Sequence, residues 1–362
     1  MAATTPTICG YELADVRRTF RDAVDRRDRR GAFRWAAELV ATPGAVGSLW
    51  AAYWLAWATI TGSASPTLPI LLRQEWEKIT SFAHAHGGDW ITFRNDPPVR
   101  AVVAEMTTRL LTQTRQTPVI WPSKELILYD IGTFREAPVP ATADSPLAMR
   151  VWQRGEDSLD VRIMGGYWLE AIQRGDLRAA LSVVAWTLLT PAQQGSSTPL
   201  KFADRGPAAL PPKQRASPIW FWIQMGRALI LSQEGIHRGW ITMHTAVAEA
   251  FRLHFKRWTS AERMRILLAW IIQIRAAFQP QPEGLWAADA VRLTTPEIDL
   301  PYKEIAAELA DPDAAIIQHD KAPTSKTLEM DTKKTLAARA EAKMAEADAK
   351  IMAMMGLSED DA

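Results

Sequence analysis

One cysteine, Cys9, is all that 362 residues contain. A lone thiol excludes an internal disulfide framework and a cysteine-built zinc site, and it fits a reducing compartment, cytoplasmic or nuclear. The first ten residues, MAATTPTICG, lack the basic start and long apolar run of a secretory leader, so secretion is not expected. Histidine is scarce too: the six present leave one cluster with metal-ligand residue types close together, His84, His86 and Asp89 in HAHGGD. Asp89 sits one place off a His-x-His-x-Asp-His spacing and no histidine follows, and no HExxH occurs, so no metal site is expected. A Gly-x4-Gly-Lys-Ser/Thr loop is missing: Pro122-Ser123-Lys124 has no glycines, and Gly165-Gly166 runs into Tyr167 and Trp168. Nucleotide hydrolysis by this chain alone is therefore not expected. No Gly-x-Ser-x-Gly elbow marks a nucleophile. The carboxylate pairs Asp157/Asp160 and Glu297/Asp299 read as solvated loop groups rather than an acid and a base. No cofactor and no catalytic residue is expected.

Excess charge of one sign is also missing. Basic and acidic residues number 42 and 41, for a net charge of +1, so nothing global draws the chain to nucleic acid or to an anionic membrane. Any such contact must be local. Long hydrophobic runs are absent: residues 39–72 carry no charge, yet Pro43, Pro66 and Pro69 leave only about 17 continuous apolar positions, the lower limit for a span. The matching helix later in the chain carries Gln224 and Arg227 at its centre, which lipid would not readily accept. A buried central helix is expected, and a membrane partner is not. Strand signals are confined to residues 121–129 and 159–164, enough for a small hairpin.

What is present is a repeat. AVDRRDRRGAFRWAAELVATP from Ala23 and AIQRGDLRAALSVVAWTLLTP from Ala171 match at an offset of 148, with Asp28 opposite Asp176 and Pro43 opposite Pro191. LWAAYWLAWATI from Leu49 and IWFWIQMGRALI from Ile219 follow, with Trp50, Ala58 and Ile60 opposite Trp220, Ala228 and Ile230. VRAVVAEM from Val99 and MRILLAWI from Met264 close the series. Ordered matches of this kind point to duplicated helical units that bury a shared core. Sixteen tryptophans, set in helical patterns, fit thick helix-to-helix packing better than an exposed stacking surface.

The helical period predicts two helices joined by a short polar turn over residues 15–40, and again over 167–189, with Asp28 and Asp176 capping the second helix of each pair. The expected organisation is a first helical unit over 1–132, a junction at 133–145, and a second unit over 146–310 with a Pro-rich insertion at 190–218. Residues 311–362 are expected to form a linker and one amphipathic helix, in which Leu336, Met344, Ile351 and Met355 follow spacings of three and four. The insertion has no counterpart in the first unit, and inserted loops are where partners bind. Pro211 and Pro212, with the C-terminal helix residues, are the expected partner contacts. Arg17, Arg18, Arg26, Arg27, Arg29 and Arg30 are the expected nucleic-acid contacts, should the intervening aspartates face away.

Residues 20–60 carry the pattern A-x-x-R-R-D-x-R-x-A-x-x-W-A-x-E-L, from Ala23 to Leu39, followed by LWAAYW. This segment resembles a helical unit in the collar and lid regions of clamp-loader-like AAA+ ATPases, including those that maintain replication forks. The nucleotide loop and acidic metal-binding strand of that family are absent. The resemblance implies an oligomerising or partner-binding module attached to DNA replication or repair, and it assigns no catalytic residue. The fold expected is all-α, two tandem similar multi-helix units plus a C-terminal helix on a linker. The function expected is a non-enzymatic scaffold or adaptor that binds proteins or itself. The alternatives are a structural component of a large assembly such as a viral particle, and a nucleic-acid-binding protein that uses the Arg17 to Arg30 strip.

Overall fold

The computed structural model describes residues 6–115, 127, 130, 131, 138–189, 200–278, 286 and 291–310. These residues are all-α: no strand occurs among them, and only two isolated bridge pairs, Pro6 with Glu12 and Arg154 with Asp157, have β geometry. The first half contains α1 (Leu13–Arg26), α2 (Arg29–Ala41), α3 (Val46–Ala56), α4 (Leu68–Ala85), α5 (Trp90–Asn95) and α6 (Pro97–Thr112). The second contains α7 (Pro146–Val151), α8 (Leu159–Gln173), α9 (Leu177–Leu188), α10 (Pro212–Arg215), α11 (Pro218–Leu231), α12 (Arg238–His254) and α13 (Ser260–Ala276), and α14 (Thr295–Ala310) follows. No helix among the described residues is long and apolar enough to cross a membrane.

Local chemistry sets the helix boundaries. The α1–α2 turn places Arg27 at φ 56° and closes with Asp28 N–H on Ala23 O at 2.8 Å. Asp28 then accepts from Gly31 N at 2.9 Å, capping α2. The α8–α9 turn does the same, with Gly175 at φ 73°, Asp176 N–H on Ala171 O at 2.8 Å, and Asp176 accepting from Ala179 N at 3.0 Å. Both caps fall where the sequence places them. The parallel continues in the packing. In the first half α1 packs on α2, α2 on α3, α3 on α4, α4 on α6, and α6 also on α2 and α3; α8, α9, α11, α12 and α13 repeat these neighbour relations in order.

Residues 159–164, expected as strand, form the first turns of α8 instead. Val161, Met164 and Trp168 recur at three and four and are buried, so a helical stripe outweighs the short β-branched run. The other expected strand, 121–129, lies almost wholly outside the described residues. Of the 133–145 junction, 138–145 is described, and its 3-10 turn Ala141–Asp144 packs on α8, where Gly166 leaves no room for a side chain against the Ala143 backbone. The expected C-terminal helix with Leu336, Met344, Ile351 and Met355 lies outside the described residues.

The chain up to Tyr302 forms one compact unit, and a second begins at Lys303. Within the first, most of the uncharged run from residue 39 is buried, and ten of the eleven residues of α3 are buried. Among the described residues eight indoles are fully buried, and Trp258, from the second half, donates to Ala51 O in α3 at 3.0 Å. Helix α4 packs on α12, while α13 packs on the π-helical turn Trp57–Thr61, where Gln273 donates to Gly62 O at 2.6 Å. The halves therefore share one core rather than holding two.

Candidate functional site

Helix α11 presents Trp220, Ile223, Gln224 and Arg227 on one face, at the spacing that aligns helical side chains, and α12 presents Thr245, Ala248, Glu249 and Arg252 in the same way. The two stripes line a cleft of about 490 Å³. Arg205, Gly206 and Pro207, from the loop before α10, form a further wall, and the buried His244 is part of the lining.

Arg205 is fixed. Its guanidinium is buried and donates to both carboxylate oxygens of Asp157, to Val151 O at 3.0 Å and to Gln224 Oε1 at 3.1 Å. Asp157 also accepts from the backbone amides of Gln153 and Ala203, each at 2.7 Å. A buried ion pair needs this kind of satisfaction on every side to be tolerated. Asp157 is thus a structural anchor, not the solvated loop carboxylate expected from the sequence. Because the Gln224 oxygen is taken, its amide NH2 is the end left to interact.

His244 is oriented from behind. Trp270 Nε1–H donates to its Nδ1 at 3.1 Å, which puts the imidazole proton on Nε2. Burial, and then the nearby Arg227 charge, hold its pKa down at about 4, so the ring is neutral at physiological pH. The Nε2 atom is buried and has no hydrogen-bond partner among the described residues. Trp270 is held in turn by Gly226, whose missing side chain lets the indole lie directly on α11.

The charges can then be counted. Arg205 is balanced by Asp157, and Glu249 pairs with Arg73 of α4, which it shares with Glu77. Arg227 and Arg252 are exposed and have no carboxylate partner among the described residues. The groups left unspent are two guanidiniums, one imidazole N–H and one amide NH2. All four are donors. At the offset of 170 that aligns Trp50 with Trp220, Gln224 and Arg227 stand where the first half has Trp54 and Trp57, both fully buried. The polar residues Gln224 and Arg227 of α11, together with Arg205 from the loop before α10, line the cleft here.

The other sequence-read residues are dispersed. Arg17 leans on α13, pairing with Glu262 at 3.2 Å and donating to Arg257 O at 3.1 Å. Arg18 pairs with Asp15 at 2.6 Å, and Arg29 with Glu297 at 2.8 Å. Arg26, Arg27 and Arg30 are exposed around the α1–α2 turn, with Asp22, Asp25 and Asp28 exposed among them. Pro211 and Pro212 are exposed at the start of α10. His86 bonds Asp96 at 2.9 Å, and Asp89 caps α5 through the amides of Ile91 and Thr92. Glu297 accepts from Thr294, and Asp299 pairs with Arg100 at 2.9 Å. A larger recess of about 820 Å³ lies between the ends of α9, α11 and α13. Its wall is mainly apolar, and no described residue in it holds a buried polar atom without a partner.

Arg205, His244 and Arg252 were not legible as site residues in the sequence, since each stands alone among apolar or unrelated neighbours. Gln224 and Arg227 did leave a signal, as polar residues interrupting an apolar helix. Among family models, curated proteins and solved structures, nothing matches the chain.

Proposed function

We propose that this protein is a non-enzymatic helical adaptor that holds a partner by an anionic group seated in the α11–α12 cleft. The observation that carries the reading is the set of unspent donors: Arg227, Arg252, the Gln224 amide and the His244 Nε2–H, with every nearby carboxylate already paired. A buried donor without an acceptor, as His244 Nε2–H is, is costly, and an oxyanion is the ligand that suits it together with the two exposed guanidiniums. The Pro-rich insertion contributes through Arg205 to Pro207, which agrees with its expected role in partner contact.

The repeated neighbour relations and the matching Arg27-Asp28 and Gly175-Asp176 turns support a duplicated helical unit, of which the second copy acquired the cleft. The likeness of residues 20–60 to clamp-loader collars supports replication or repair as the setting. The arginines of residues 17–30 lend less to a nucleic-acid role, since Arg17, Arg18 and Arg29 are held by carboxylates. The test is co-purification of the full-length protein from its native source, beside Arg227→Ala/Arg252→Ala. A partner recovered with the parent and lost with the variant supports the reading. A partner set that the double substitution leaves unchanged contradicts it.

A further inference from the structure

We infer that the group bound between α11 and α12 is a phosphate monoester, an inference that rests on the anion-binding reading above. Charge comes first. Arg205 is matched to Asp157 and Glu249 shares Arg73 with Glu77, while two guanidiniums of the lining, Arg227 and Arg252, pair with no carboxylate among the described residues. A phosphate monoester brings close to two negative charges at neutral pH and three terminal acceptor oxygens. A carboxylate brings one charge and two oxygens, and would leave one guanidinium unmatched. A phosphodiester of nucleic acid also brings one charge, and both of its bridging oxygens are already bonded to sugar.

The donor geometry points the same way. Arginine forks suit phosphate oxygens because two parallel N–H groups meet two oxygens. His244 adds a donor that costs no further charge, since Trp270 holds its Nδ1 and the proton resides on Nε2. The Gln224 amide adds another, its oxygen being taken by Arg205. The half-buried Gln224 amide and the exposed guanidiniums, with the buried His244 N–H behind them, would seat an oxyanion without burying a bare cation. Trp220, Ile223 and Ala248 line the same cleft and give apolar surface to whatever carries the phosphate.

The ester has two possible carriers, a phosphorylated side chain of a protein or a small phosphorylated compound, and the experiment separates them. Calorimetric titration of the full chain uses capped phosphoserine, capped glutamate, glycerol phosphate, inorganic phosphate and a degenerate phosphoserine peptide pool. Capped phosphoserine is expected to bind at least about tenfold more tightly than capped glutamate, an advantage lost in Arg227→Ala/Arg252→Ala. A further gain with the peptide pool assigns the carrier to a protein, and a preference for glycerol phosphate over capped phosphoserine assigns it to a small compound; both uphold the inference. Equal affinity for phosphoserine and glutamate, each dependent on the two arginines, overturns the phosphate inference and leaves the anion-binding reading intact. Absence of binding by every probe, or binding indifferent to Arg227→Ala/Arg252→Ala, overturns both. Both arginines are exposed, so the variant is expected to fold, and an unchanged melting temperature checks that it does.

Discussion

At the level of single residues, two buried histidines make stability depend on pH. Burial holds His244 at about 4 and His254 at about 3, with Arg227 and Arg257 adding to the effect, against about 6.5 in the unfolded chain. Both folded pKa values are lowered, so the unfolded state takes up protons first as pH falls. Their stabilisation is complete above about pH 6.5 and is lost from there down to about pH 4 for His244 and about pH 3 for His254, at up to about 1.4 kcal/mol per pH unit for each ring. Chemical denaturation from pH 7 to pH 4 is expected to show this slope, and His254→Gln to reduce it by up to half; an unchanged slope in the variant would contradict the assignment. Arg27 offers a second check. It holds a left-handed φ of 56°, which glycine adopts freely and which Gly175 adopts at the matching turn, so Arg27→Gly is expected to stabilise by about 0.5 to 1 kcal/mol. Denaturant midpoints of the two proteins measure the difference. At Gly226 a Cβ would meet the Trp270 ring and Ile274, so Gly226→Ala is expected to cost about 1 to 3 kcal/mol and to disturb His244 through its indole partner. None of this was legible from residue type alone. A histidine or glycine in a sequence does not say what lies against it.

At the level of elements, helices and their caps were the most readable part of the chain. Asp28 and Asp176 follow the turn and precede an apolar stripe, and each caps the helix it introduces. Asp28→Ala and Asp176→Ala are each expected to cost about 1 kcal/mol of stability, a loss that thermal melts can measure. Residues 159–164 were misread because six residues are too few to tell a β-branched run from the first turns of a helix; the deciding residues, Tyr167 to Leu169, lie just beyond the window. The cleft was half legible. Gln224 and Arg227 stand out in α11 by breaking an apolar pattern, whereas Arg205 sits in an irregular loop and Arg252 among ordinary helix-end cations. What joins them is the pairing of α11 with α12 and the buried Asp157–Arg205 anchor, and neither has a sequence period. The arginines of residues 17–30 show the reverse case, a prominent sequence pattern of which Arg17, Arg18 and Arg29 are held by carboxylates.

At the level of the whole molecule, the repeat in the sequence corresponds to repeated neighbour relations between helices, yet the halves share their core. Trp258 reaches Ala51, Gln273 reaches Gly62, and Arg17 reaches Glu262. Residues up to Tyr302 are therefore expected to unfold together, with a single transition in tryptophan fluorescence, because the indoles of both halves lie in one structure. Two resolved transitions would contradict a shared core. In the function we propose, the asymmetry between the halves is what matters: positions 54 and 57 hold buried indoles, and the matching positions 224 and 227 hold the donors of the proposed oxyanion seat. The most direct measurement of that claim is an NMR titration of the His244 imidazole in the full chain, with and without inorganic phosphate. The account predicts an Nε2–H ring titrating at about 4 without phosphate, whose pKa rises as phosphate is added, and a rise absent from Arg227→Ala/Arg252→Ala. A ring that titrates at its ordinary value, or one that does not respond to phosphate, would contradict the account.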